Sequence, residues 1–271
     1  MTFYNARVAL LEARMSSELT DLIRRAGGNN PLCVPAVQEI PLNSTPEVSA
    51  FIDCLADGSI PIVVFFTGAG AKLLLDKAEQ LDRQAVLLTA LRAATVVCRG
   101  SKPSSILKRY DVPVAVSARE PYTTTELLEA MAPLDLVGNT VGIVHYGEYN
   151  TLASQKLRAQ GADLVELCLY AWGLPEDTSP LKNLVKDIIA GCIDAVVFTS
   201  QVQVRHLFLM ATELGLSAQL AETLNTQTVV ASIGPTCTGA LQSYGVTPYV
   251  IPEHPKMGHL VKALAEYFRR L

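Results

Sequence analysis

Short apolar runs alternate along this chain with stretches whose apolar positions recur every three or four residues. The runs are VALL from Val8, IVVFF from Ile62, TVVC from Thr95, VPVAV from Val112, VGIVH from Val141, DAVVFTS from Asp194, TVVAS from Thr228 and PYVIP from Pro248. Strand-length apolar runs separated by amphipathic helices predict parallel sheets covered by helices, an α/β fold. The first helical stretch shows the grammar. Ser16 or Ser17 is placed to cap it, Leu19, Leu22, Ile23 and Ala26 share one face, and Gly27 can close it.

The pattern repeats. VALLEARMSSELTDLIRRAGG from Val8 matches VGIVHYGEYNTLASQKLRAQGA from Val141, so that Gly27 answers Gly161. IPIVVFFTGAGAKLLLDKAEQL from Ile60 matches CIDAVVFTSQVQVRHLFLMATEL from Cys192, with Phe66-Thr67 set against Phe198-Thr199. TVVCRGSKPSSILKRYDVPVAV from Thr95 matches TVVASIGPTCTGALQSYGVTPYVI from Thr228, with Gly100 answering Gly234. The offset stays at about 132 to 134 residues, which predicts two similar α/β units. Two proline-bounded stretches, at 34–41 and 167–175, lie at equivalent places in the repeats and are the expected interdomain connections.

Composition narrows the class. With 49% hydrophobic and 18% charged residues among 271, the chain can bury one large or two ordinary cores. Its apolar runs fall far short of the roughly 20 residues that cross a bilayer. The start of the sequence lacks a signal-peptide pattern, so a soluble, cytoplasmic protein without membrane partners is expected. A net charge of −4 argues against general nucleic-acid affinity but leaves room for a local basic site. The cysteines (33, 54, 98, 168, 192 and 237) form no C-x-x-C pair and are expected to be buried thiols. The four histidines form no zinc-type cluster.

Strand-to-helix turns are where such a fold keeps its chemistry. Here they read FTGAG, FTSQV, RGSK and IGPT. First-turn backbone N–H groups lack helical partners and carry partial positive charge, so these turns suit carboxylates or phosphates. Candidate contacts are Thr67, Gly68, Ala69, Gly100, Ser101, Lys102, Thr199, Ser200, Gln201, Gly234, Pro235 and Thr236. Nucleotide motifs fail: Leu73 stands at the third glycine position after Gly68 and Gly70, and neither a P-loop nor G-x-S-x-G occurs.

AVVFTSQVQVRHLF from Ala195, VVASIGPTCTGALQSYGVTPYVIPEHP from Val229, LRAQGADLVELCLY from Leu157 and the duplication together resemble the uroporphyrinogen-III synthase (HemD-like) family over essentially the whole chain. The resemblance implies two flavodoxin-like α/β domains joined by a two-stranded ladder, with a ligand cleft between them. One domain would combine residues 1–36 and 174–271 and the other would span 37–173, each borrowing its first βαβ piece from the other repeat. The implied activity is that of a hydro-lyase. It would convert hydroxymethylbilane, a linear tetrapyrrole with acetate and propionate groups on every ring, into uroporphyrinogen III with ring D inverted and water lost.

No cofactor is implied, and the expected protein is a monomer that receives the bilane from hydroxymethylbilane synthase. Orientation of a flexible polyanion would supply the catalysis, an effect worth up to roughly 7 to 11 kcal/mol. By motif, Tyr170 matches the tyrosine proposed to assist departure of the hydroxyl, Ser200 and Thr236 match substrate contacts, Thr67 pairs with Thr199 by duplication, and Arg14 matches a basic residue after the first strand. The sequence departs from the family pattern at Pro103, Cys237 and Met257. A non-catalytic relative that binds or senses a tetrapyrrole or another polyanion is the alternative.

Overall fold

The computed structural model describes residues 3–270, so the outermost residues of the expected first domain lie outside the described residues. A single 3-10 turn, Phe3–Asn5, leads into β1 (Val8–Leu10), α1 (Ser16–Arg25) and β2 (Leu32–Cys33). There follow β3 (Gln38–Pro41), α2 (Thr45–Ala56), β4 (Ile62–Phe65), α3 (Gly68–Gln80), α4 (Gln84–Ala93), β5 (Thr95–Cys98), α5 (Ser101–Lys108) and β6 (Val116–Ser117). The chain continues through α6 (Thr124–Met131), β7 (Thr140–Val144), α7 (Thr151–Ala159), β8 (Asp163–Leu167), β9 (Tyr170–Gly173), α8 (Ser179–Ile189) and β10 (Ala195–Phe198). It ends with α9 (Gln201–Glu213), α10 (Ser217–Thr226), β11 (Val229–Ser232), α11 (Pro235–Ser243) and α12 (Met257–Arg270).

These elements form two compact units. The first joins the stretch up to Gln38 with the stretch from Gly173 onward, and the second is Glu39–Trp172. In the first unit the parallel sheet has the order β11-β10-β1-β2, with Val8 opposite Ala195 and Ala195 opposite Val229. Alternate strand residues face opposite ways. Ala9, Val196, Phe198 and Val230 pack with side chains of α8 to α11, while Val8, Leu10, Ala195 and Val197 pack with Leu19, Ile23, Leu260 and Leu264 of α1 and α12.

In the second unit the parallel order is β6-β5-β4-β7-β8, with Ile62 opposite both Thr95 and Val141. Val63, Phe65, Val96 and Cys98 face α2 to α5, and Val64, Val97 and Ile143 face α6 and α7. Numbered from the start of each repeat, both sheets have the order 2-1-3-4 onward. That is a doubly wound arrangement whose switch point lies between the first and third strands. β3 and β9 form a separate two-stranded sheet, where the chain passes from one unit to the other and back.

Local departures have physical reasons. Ser16 is already the first helical residue, so Met15 takes the cap position of α1 and no side chain caps it. Leu19 and Ile23 are buried as expected, and Gly27 follows at φ +91°. PYVIP makes only an isolated bridge, Val250 to Ala231, because the flanking Pro248 and Pro252 cannot donate to a ladder. The edge strands β2 and β8 fall outside the expected runs.

Candidate functional site

All strands of the two larger sheets are parallel, so within each of these sheets the turns that follow the strands gather along one edge. In the first unit these are the turns after β1, β10 and β11. Ser200 caps α9, its Oγ accepting the Gln203 N–H at 3.4 Å. Beside it, Thr199 Oγ1 donates to Glu12 Oε2 at 2.5 Å. The Gln203 amide donates to the same carboxylate oxygen at 3.2 Å and to Thr199 Oγ1 at 2.8 Å, while accepting the Thr199 N–H at 2.8 Å. The Thr199 hydroxyl is therefore engaged by a carboxylate of the chain itself. Gln201 is half-buried at the start of α9, and Arg14 is exposed in the turn after β1.

The IGPT turn opens α11, with Gly234 at the cap position and Pro235 first in the helix. Glycine at 234 cannot supply a side-chain cap, and Pro235 and Thr236 are exposed. A Cβ at 234 would stand 3.0 Å from Pro255, so the glycine is needed for close chain packing. Cys237 does not border the turn's surface. It is buried in the core with Sγ 3.8 Å from the Phe198 carbonyl, and burial pushes its thiol pKa up to about 11.

In the second unit, Thr67 caps α3 by accepting the Gly70 N–H at 3.0 Å, and the Tyr170 hydroxyl lies 3.2 Å from the same oxygen. Two expected site residues thus meet directly. Tyr170 is 1% exposed and packs edge-on against Trp172 with centroids 5.1 Å apart. The Trp172 indole donates to the Tyr146 carbonyl at 2.7 Å. Gly68 and Ala69 form the first turn of α3. A Cβ on Gly68 would sit 3.2 Å from the Lys102 carbonyl, so the starts of α3 and α5 abut. At α5, Gly100 holds the cap position without a side-chain bond, Ser101 and Lys102 are exposed, and Pro103 is buried. A Cβ on Gly100 would meet the Tyr122 ring at 3.1 Å.

Arg99, between β5 and Gly100, was absent from the expected contacts. Its guanidinium carbon lies 4.7 Å from the centroid of Tyr146 and 5.5 Å from that of Phe66, within cation–π range. Burial pushes its pKa down, while Tyr146 and Tyr170 act in the opposite direction. Behind this cage sits His145, fully buried. Its Nδ1 accepts the Asn150 N–H at 3.2 Å, which assigns the proton to Nε2, 2.8 Å from Glu166 Oε2. Glu166 also accepts from Ser154 at 2.8 Å and Arg158 at 2.6 Å. Burial lowers the His145 pKa. For Glu166 burial opposes the shift, but hydrogen bonds from Ser154 and His145 carry it below the usual carboxylate range.

Strand register corrects the expected pairing of the repeats by one residue. Val8 pairs with Ala195 as Val141 pairs with Ile62, so Phe65 answers Phe198, Phe66 answers Thr199, and Thr67 answers Ser200. The matching caps on α3 and α9 agree with this alignment. It also sets Glu12 against His145, Ala13 against Tyr146, and Ile233 against Arg99. A second correction concerns cysteine: Cys33 and Cys192 are exposed, and all six thiols are free. Both lie where an apolar run meets the surface.

Among the described residues, no group of three or more His, Cys, Asp or Glu side chains is placed to hold a metal, and no helix is long and apolar enough to cross a membrane. Uncharacterized protein YjjA of Bacillus subtilis (strain 168) is 29% identical over 271 residues, covering 97% of this chain and 96% of its own. A putative uroporphyrinogen-III synthase of Methanothermobacter thermautotrophicus is 28% identical over 252 residues, covering 92% of this chain and 93% of its own. The solved structure of a mutant uroporphyrinogen III synthase from Thermus thermophilus shares the fold, with a TM-score of 0.76 at 24% identity, covering 98% of this chain and 100% of that one. The family model for uroporphyrinogen-III synthase HemD matches residues 17–262, across both units, and the chain belongs to that family.

Proposed function

We propose that this chain is a uroporphyrinogen-III synthase, closing hydroxymethylbilane with inversion of ring D and loss of water. The family match over residues 17–262 carries the reading. The chemistry is redox-neutral. The terminal C–O bond breaks with its electron pair leaving on oxygen, which takes up a proton and departs as water. The substituted α-carbon of ring D attacks the electrophilic methylene of the azafulvene left behind. In the resulting spiro intermediate the bond from ring D to its original methylene bridge breaks, and that methylene rebonds to the free α-carbon of ring D. Loss of the proton there restores the pyrrole and closes the ring. The substrate supplies this reactivity, so the protein's main work is to hold one conformation.

On this reading, first-turn N–H groups at α3, α5, α9 and α11 take carboxylates of the bilane. Thr67 meets the departing hydroxyl and Tyr170 supports it from behind, because the phenol is buried and lies 3.2 Å from Thr67 Oγ1. A neutral phenol can donate this hydrogen bond without ionising. The test is product analysis: freshly generated hydroxymethylbilane is supplied, products are oxidised, and isomers I and III are separated. Enrichment of isomer III over the protein-free reaction is expected, and an unchanged isomer ratio contradicts the proposal.

A further inference from the structure

We infer that Arg99 binds a carboxylate of the ligand at the sheet edge of the second unit, with Phe66 and Tyr146 holding its guanidinium in place. The inference deepens the proposed function and rests on it for the identity of the anion. A guanidinium taken partly out of water costs free energy unless an anion or hydrogen-bond acceptors compensate it. Among the described residues no carboxylate forms an ion pair with Arg99. The Glu166 carboxylate, on the neighbouring strand β8, is committed elsewhere: it accepts from His145, Ser154 and Arg158.

What surrounds Arg99 instead is aromatic. Tyr146 and Phe66 lie with ring centroids 4.7 and 5.5 Å from its guanidinium carbon, which holds the guanidinium over both rings. A planar fork held in this way is suited to paired N–H···O bonds with an oxyanion. Three further features favour negative charge here. The adjoining α5 starts at Gly100 without a side-chain cap, its start abuts that of α3 at Gly68 and Lys102, and Lys102 is itself exposed. The duplicate position provides an internal control. Ile233 replaces Arg99, Thr199 replaces Phe66, Ala13 replaces Tyr146, and the edge carries the carboxylate of Glu12. The same scaffold therefore folds without the caged cation.

Trp172, the chain's one tryptophan, reports on the cage because its indole donates to the Tyr146 carbonyl. The experiment titrates the intact chain with tricarballylate, and separately with inorganic phosphate, at matched ionic strength while following tryptophan fluorescence. Wild type, Arg99→Lys, Arg99→Met and, as a control on an exposed helix residue, Arg25→Met are compared, each with a thermal melt. A saturable response to tricarballylate is expected, weakened about tenfold or more in Arg99→Met, less in Arg99→Lys and unchanged in Arg25→Met. Where Arg99→Met fails to fold, the weakening in Arg99→Lys decides.

Equal affinity in wild type and the folded Arg99 variants overturns the inference, as does the lack of any saturable response. A response to phosphate but not to tricarballylate overturns the carboxylate assignment. Product analysis separates the two levels. Isomer III formed by a protein whose Arg99 variants bind normally leaves the proposed function standing without this residue, whereas Arg99-dependent binding without isomer III leaves a carboxylate site on a protein that is not a synthase.

Discussion

The sheet edge that carries Glu12, Thr199 and Gln203 and the edge that carries Arg99, Phe66 and Tyr146 share a strand order and a helix-cap geometry, yet they have opposite chemistry. Duplication kept what the backbone requires. Both edges have a hydroxyl cap three residues before the N–H it accepts, at Thr67 and Ser200, and a glycine opening the next helix, at Gly100 and Gly234. What diverged are the side chains between these fixed points. One edge therefore presents a cation, whereas the other presents the carboxylate of Glu12. The lesson is that the fold fixes the repeated turn, and single neighbouring residues set the charge presented beside it.

The largest test of this contrast concerns the turn after the first strand of each repeat. Gly147 has φ +84°, and an added Cβ would stand 2.3 Å from Trp172 Nε1. Gly147→Ala combines backbone strain with overpacking and is expected to lower stability by roughly 2–5 kcal/mol. Arg14, exposed at the equivalent place, should tolerate Ala within about 0.5 kcal/mol. Urea denaturation of the two variants checks this, and equal losses would break the comparison.

A smaller effect follows from acid. His145 is held neutral with a folded pKa below its ordinary value of 6.5, so unfolding takes up a proton between the two values. Stability present above pH 6.5 is then lost as pH falls through that window, with a further loss below 4.5 as Glu166, also lowered, is titrated. Melting temperatures between pH 7.5 and 5 should fall in wild type and stay flatter in His145→Gln. Parallel slopes would remove His145 from the account.

Next come the caps. Ser200→Ala should cost about 1 kcal/mol, and Thr67→Val should cost a similar amount for its cap together with the bond to Tyr170. A double-mutant cycle of Thr67→Val and Tyr170→Phe is expected to show coupling of about 0.5–1.5 kcal/mol. Additivity would mean that the 3.2 Å contact contributes nothing. The smallest effect is chemical labelling without loss of stability. Exposed Cys33 and Cys192 should react with iodoacetamide in the native protein, while Cys98 and Cys237, buried and pushed up to about 11, should react only on unfolding. Peptide mapping of the labelled protein distinguishes them.

Much of the scaffold was legible in the sequence because apolar runs and glycine-bearing turns repeat at a fixed spacing. The hydrophobic pattern marked the run from Ile62 as a strand without fixing which residue of the other repeat each of its positions answers. Only strand pairing resolved the one-residue difference that separates Thr67 from Thr199 and places it with Ser200. The caps at Thr67 and Ser200 could be read from their turns, whereas Arg99 and Glu12 looked like ordinary charges at strand ends. Their meaning depends on neighbours distant in sequence: Tyr146 for Arg99, and Thr199 and Gln203 for Glu12. A comparison of charge between the repeats would have singled out both positions. Cys237 shows the reverse case, a residue beside an exposed turn in sequence whose side chain belongs to the core.

The central claim is that the chain turns over hydroxymethylbilane and does not merely bind it. The most direct measurement counts moles of isomer III formed above the protein-free background per mole of protein, with the bilane in large excess. The account predicts many equivalents per protein. A yield at background, or one that stops at a single equivalent, would contradict it.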